Sequence, residues 1–136
     1  MSFIEIRGIE DVKEPQIAPE DTYDLVIDDV KGGMKEGTDI HQIRVRIQIE
    51  NADPEIEYAA IFHYLTGIGA DDDEEKAKFK MLSIKRFLAL VGVDIVDSGF
   101  NEEDLMGCRF RAKLTQEEYQ GNISNRVLVP RLENEE

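Results

Sequence analysis

The sequence predicts an all-β domain of five strands with one helix between the third and the fourth. Three observations carry that prediction. Residues 43–50, IRVRIQIE, alternate without a break: Ile43, Val45, Ile47 and Ile49 fall on one face, Arg44, Arg46, Gln48 and Glu50 on the other. This period of two marks a strand with one face buried. Residues 108–115, CRFRAKLT, repeat the pattern. Between them the period changes to that of a helix, with Met81, Ile84, Leu88 and Val91 on one face at i, i+3, i+7 and i+10 and Phe87 at its margin.

Each element follows from local chemistry. Residues 1–20 read as an irregular lead-in interrupted by Pro15 and Pro19. Thr22 to Val30, TYDLVIDDV, is the first strand, with Tyr23, Leu25 and Ile27 alternating. KGGMKEGTD (31–39) is a glycine-rich loop. The second strand runs from about Ile40 to Glu50, and NADPE turns the chain into a third, Tyr58 to Leu65. Asp72 or Asp73 caps a helix over 76–91, and Gly92 stops it. Asn101 to Leu105 adds one helical turn. Cys108 to Thr115 is the fourth strand, EEYQGN a turn, and Ser124 to Pro130 the fifth strand.

The order β-β-β-α-β-β is that of an OB-fold, a small, partly open five-stranded barrel. An α+β sheet with one packed helix is the alternative. The expected organisation is a lead-in (1–20), one OB-like domain (21–131) and an acidic tail (132–136). A chain of 136 residues fits one domain of the usual ~100–200 residues and is long enough to bury a core without staples.

Composition narrows the functional classes. No apolar run approaches the ~18 residues that cross a bilayer, and MSFIEIRGIEDVKEP lacks the continuous apolar stretch of a secretory signal. A cytoplasmic protein without membrane contact is the expectation. The single cysteine, Cys108, excludes an internal disulfide and a Cys-rich zinc site, and its alternation with Phe110 and Ala112 places it in the core. His41 and His63 lie on separate strands outside any metal-binding spacing. The run DDDEE (71–75) lacks the glycine and spacing of a calcium loop and reads as a solvated helix start, so a metal-dependent hydrolase has no paired ligand set. KGGMKEG and TGIGA lack the GK[ST] ending of a phosphate loop. No enzyme, cofactor or metal is expected.

The net charge of −14 argues at first against nucleic acid. The charge is uneven, however: residues 1–75 hold 6 basic and 20 acidic groups, whereas residues 76–131 hold 10 basic and 7 acidic. Local fields bind ligands, and net charge sets mainly solubility and steering. Arg109, Arg111 and Lys113 share one face of the fourth strand, as Arg44 and Arg46 do on the second. Tyr58, Phe62 and Tyr64 share a face of the third. Aromatics beside rows of cations suit single-stranded nucleic acid, in which bases stack on rings and cations follow phosphates. Each feature also has a plain reading, since strand aromatics fill cores and open-face charges discourage edge pairing. The loops that would flank an OB binding face hold Lys31 and Lys35 in one, and Tyr119, Gln120 and Asn122 in the other.

Five segments in this order resemble a family of small phage-encoded proteins found in replication and recombination gene clusters. They are MSFIEI, APEDTYDLVIDD, IRVRIQIE, KMLSIKRFLALVGVD and LMGCRFRAKLTQEEYQGNISNRVLVP. The resemblance covers most of the chain. It implies an OB-like fold, binding of single-stranded DNA with little sequence preference, and residence in the host cytoplasm. By position it favours Arg109, Arg111, Lys113, the turn Tyr119–Asn122 and Arg126. It also implies replication or recombination proteins as partners, with ENEE as an acidic tip that recruits them, and it leaves self-association open. The acidic first half departs from what a DNA binder usually shows. It supports a second reading, an acidic interaction module that binds a basic recombinase or nuclease without touching DNA.

Overall fold

The computed structural model of the protein describes residues 2–132. The ENEE tip of the expected acidic tail lies outside the described residues. The strands are β1 (Asp21–Met34), β2 (His41–Ile49), β3 (Ile61–Thr66), β4 (Arg109–Tyr119) and β5 (Asn122–Val127). The helix α1 (Glu74–Val91) follows β3, and a 3₁₀ turn (Glu102–Leu105) precedes β4. The strands form one sheet in the order β3-β2-β1-β4-β5, antiparallel at every junction. The described residues are thus mostly β, with a five-stranded antiparallel sheet and a single α-helix among them. The edge strands β3 and β5 approach each other, but no ladder joins them among the described residues. None of the helices described is long and apolar enough to cross a membrane.

The alternating residues meet on the inner face. Leu25 and Ile27 of β1, Ile43, Val45 and Ile47 of β2, Ile61 and Leu65 of β3, and Phe110, Ala112 and Leu114 of β4 are buried together. The helix covers them with Phe87, Leu88 and Val91. Phe87 is at the centre of the helix face rather than at its margin: it is fully buried, while Met81 is 53% exposed. The buried stripe is rotated because Phe87 fits between two rings. It stacks on His63 at 4.2 Å and meets Phe110 edge-on at 6.3 Å. Asp73 caps α1 by accepting from the Lys76 N–H at 2.7 Å. Gly92 ends it with φ 83°, a conformation that only glycine adopts cheaply, and donates to the Leu88 carbonyl.

Several boundaries differ from expectation. Lys31–Met34 is strand, not loop, because Gly32 and Gly33 pair with Ile43 and Gln42 and carry the β1–β2 hairpin outward. β4 likewise runs on to Tyr119, leaving a two-residue turn, Gln120–Gly121, with both φ angles positive, the twist-compatible hairpin geometry. β1 contains a bulge. Ile27 pairs with Ile47 and Asp29 with Arg46, so Asp28 is an extra residue. β3 starts at Ile61, and Tyr58 instead forms an isolated bridge with Gln16. Cys108 is half-buried against the core, its thiol 3.1 Å from the Asp104 carbonyl oxygen.

The lead-in is irregular apart from a 3₁₀ turn at Ile9–Asp11, but its end is firmly held. The buried Ala18 donates its N–H to Asn125 Oδ1 at 2.9 Å, and Asn125 Nδ2 donates to the Ala18 carbonyl at 2.9 Å. A side-chain amide on β5 thereby satisfies both backbone groups of a buried residue outside the sheet, groups that are costly to leave unpaired.

Candidate nucleic-acid interface

The antiparallel registers set the polar residues of β1, β2 and β3 into rows on the outer face of the sheet. One row is Lys31–Arg44–Tyr64, and the next is Asp29–Arg46–Phe62. Directly opposed residues of an antiparallel pair touch, and long side chains reach the diagonal as well. Arg44 uses that diagonal. Its guanidinium carbon lies 5.1 Å from the centre of the Phe62 ring, within the range of a cation–π contact. Tyr64 is 45% exposed beside it, and Lys31 is exposed on its other side. Among the described residues no carboxylate lies within 4 Å of Arg44, Lys31 or Lys35. Lys35 opens the β1–β2 loop, where its N–H donates to the Ile40 carbonyl.

The other arginines have carboxylate partners. The bulge aims Asp28 at Arg46, which donates to it from Nε at 2.8 Å and from a terminal nitrogen at 3.4 Å. That hydrogen bond, then the Asp28 charge, raises the Arg46 pKa further. Arg109 pairs with Glu50 at 2.8 Å, Arg111 with Asp24 at 3.0 Å, and Arg126 with Glu117 at 2.7 Å. Lys113, opposite Thr22 on the same exposed face of β4, has no such partner among the described residues. Charge therefore changes along the face. Carboxylates hold its middle, and cations without partners stand at the β1–β2 hairpin end and at Lys113. Exposed pairs of this kind contribute little to stability and are weakened by salt, so they remain open to exchange with a phosphate.

The aromatics separate. Phe62 and Tyr64 stand on the outer face in register with Arg46 and Arg44. Tyr58 does not join them. Its bridge to Gln16 holds it ahead of β3, and its half-buried ring packs against the core. Tyr119 is 72% exposed at the tip of the β4–β5 hairpin. His63, between Phe62 and Tyr64 in sequence, points the other way. Burial first, and the charge of Arg126 second, push its pKa down to about 4, and its Nε2 is buried without a hydrogen-bond partner among the described residues. It is a neutral ring of the core. In the run 71–75, Asp72 is bound by Lys80 at 2.7 Å and by the Gly69 N–H at 2.8 Å, which together lower its pKa, and Asp73 caps the helix.

Sequence reasoning missed the four acids that hold the arginines, Asp24, Asp28, Glu50 and Glu117. Only the spacing of Ile27 and Val30, three residues where two would continue the alternation, hinted at the bulge that presents Asp28. Compared with known proteins, the chain matches no family model and no curated protein.

Proposed function

We propose that this chain is a non-enzymatic single-stranded DNA-binding protein of a phage replication or recombination system, binding with little sequence preference. In this reading the curved sheet works as an OB-type barrel, with β3 and β5 closing it edge to edge. Bases stack on Tyr64 and the open face of Phe62, while Arg44, Lys31 and Lys35 meet phosphates. The observation that carries the proposal is Arg44, poised over Phe62 and beside Tyr64 without a carboxylate partner among the described residues. Arg46, Arg109, Arg111 and Arg126 would join only by leaving their acids, Lys113 extends the path at its far end, and Tyr119 supplies a further ring at the hairpin tip.

Fluorescence anisotropy with a labelled oligonucleotide tests this directly. Single strands should bind more tightly than duplex, and affinity should fall with salt as counterions are released. Arg44→Glu should weaken binding about tenfold or more, and Tyr64→Ala by the ~1–3 kcal/mol of a lost stacked base. Absence of salt-sensitive binding in the micromolar range would refute the proposal. The paired arginines favour one competitor, an acidic module for a basic protein partner. That reading expects Arg44→Glu to leave partner binding intact and oligonucleotide binding to be absent from the start.

A further inference from the structure

Two apolar surfaces of the described chain have no cover. The first is the leading arm, residues 2–14. Phe3 is 93% exposed, Ile4 76% and Val12 77%, and Ile6 and Ile9 are more than half exposed. The arm has a defined local form, because the Ile9 and Asp11 N–H groups donate to the Ile6 and Gly8 carbonyls. Its root is fixed, with Gln16 hydrogen-bonded to Glu57 and Ala59, and Ala18 to Asn125. The second surface is a groove of about 290 Å³ between α1 and the segment 95–100, walled by Met81, Ile84, Leu88, Ile95 and Phe100, with Lys85 at its rim. Met81 and Ile95 are about half exposed, and no residue of the arm lines the groove.

We propose that the arm of one copy of this chain lies in the α1 groove of a second copy. The two surfaces are complementary in chemistry. The arm carries Glu5, Glu10, Asp11 and Glu14 against Arg7 and Lys13. The helical wall of the groove carries the opposite sign at Lys85, which lines it four residues along α1 from Met81 and so shares its face. Large exposed apolar side chains that alternate with charge are the pattern of an interaction segment, and a contiguous apolar patch rimmed by polar groups is its usual receptor. In the single chain the arm stands clear of its own groove, which leaves a neighbour's arm as the occupant. The inference is independent of DNA binding.

Sedimentation of the full chain over a range of concentrations tests it. The wild type should self-associate. The arm variant Phe3→Ser/Ile6→Ser and the groove variant Met81→Glu, each at exposed positions, should raise the dissociation constant about tenfold or more, as expected when central apolar anchors are lost. An equal mixture of the two variants should regain association, because it still offers one intact arm and one intact groove. In a Cys108→Ser background, mixing an Ile6→Cys chain with an Ile95→Cys chain should give an intermolecular disulfide. A wild type that stays monomeric at every concentration overturns the proposal. So does association that survives both variants, a mixture that regains nothing, or an Ile6→Cys/Ile95→Cys double variant that closes its disulfide within one chain.

Discussion

Lowering the pH from 7 to 5 should remove about 2 kcal/mol of folding stability through His63 alone. In the folded protein its ring lies on Phe87 at 4.2 Å, with Nε2 buried and unpartnered among the described residues, and its pKa falls from 6.5 to about 4. The unfolded chain therefore takes up the proton first. The contribution is intact above pH 6.5, declines as the pH falls through 6.5, and levels off below about 4. A gap of this size amounts to ~3 kcal/mol when complete, and roughly two-thirds of it is spent by pH 5. Against a usual total of ~5–15 kcal/mol the loss is large. Carboxylates also titrate toward the lower end of this window, so the measurement is a difference. Urea unfolding of the wild type and of His63→Phe, which keeps a ring against Phe87, should be run at both pH values. The wild type should lose about 2 kcal/mol more than the variant between them. Equal losses would show that His63 accepts a proton in the folded state as readily as in the unfolded one, and the account of its burial would fail.

Three further outcomes follow from particular contacts. Asp28→Asn releases Arg46 from its carboxylate; oligonucleotide affinity should rise several-fold and the log-affinity against log-salt slope should steepen by about 0.7, whereas an unchanged slope would mean that Arg46 stays off the nucleic acid. Asp73→Ala removes the helix cap at Lys76 and should lower stability by about 1 kcal/mol in denaturant unfolding. Asn125→Ala strands the buried N–H of Ala18, while the Ala18 carbonyl keeps Gln116 Nε2 as a donor at 3.0 Å; it should cost about 2 kcal/mol and speed amide exchange at Ala18, and unchanged exchange there would show that the lead-in is held by other contacts.

The element order was legible because each inner-face residue repeats at a period the backbone enforces. Ile43, Val45 and Ile47 are buried where alternation puts them, as are Phe110, Ala112 and Leu114. Lengths were less legible. Glycines at 32 and 33 signal a loop locally, yet their backbone groups find partners across the hairpin, and pairing outweighed propensity. Phe87 displaced Met81 from the helix core because the neighbouring rings of His63 and Phe110 come from distant strands. The candidate face was legible as rows of cations, but not as a pattern of free and paired ones. Whether Arg109 finds Glu50, or Arg111 finds Asp24, depends on cross-strand register, which a single strand's sequence does not contain.

The supernumerary Asp28 has a consequence for everything downstream of it in β1. Leu25 and Ile27 face inward on odd numbers, yet Val30 meets Val45 inside while Lys31 meets Arg44 outside. Were Asp28 paired one to one like its neighbours, strict alternation would turn Lys31 toward the hydrocarbon interior and Val30 toward water. Deleting it would instead leave Ile27, Asp29, Val30 and Lys31 opposite their present partners in a regular strand, so the cationic corner would keep its orientation and only Arg46 would lose its carboxylate. The bulge thus lets the strand carry one additional acid without inverting the side chains beyond it.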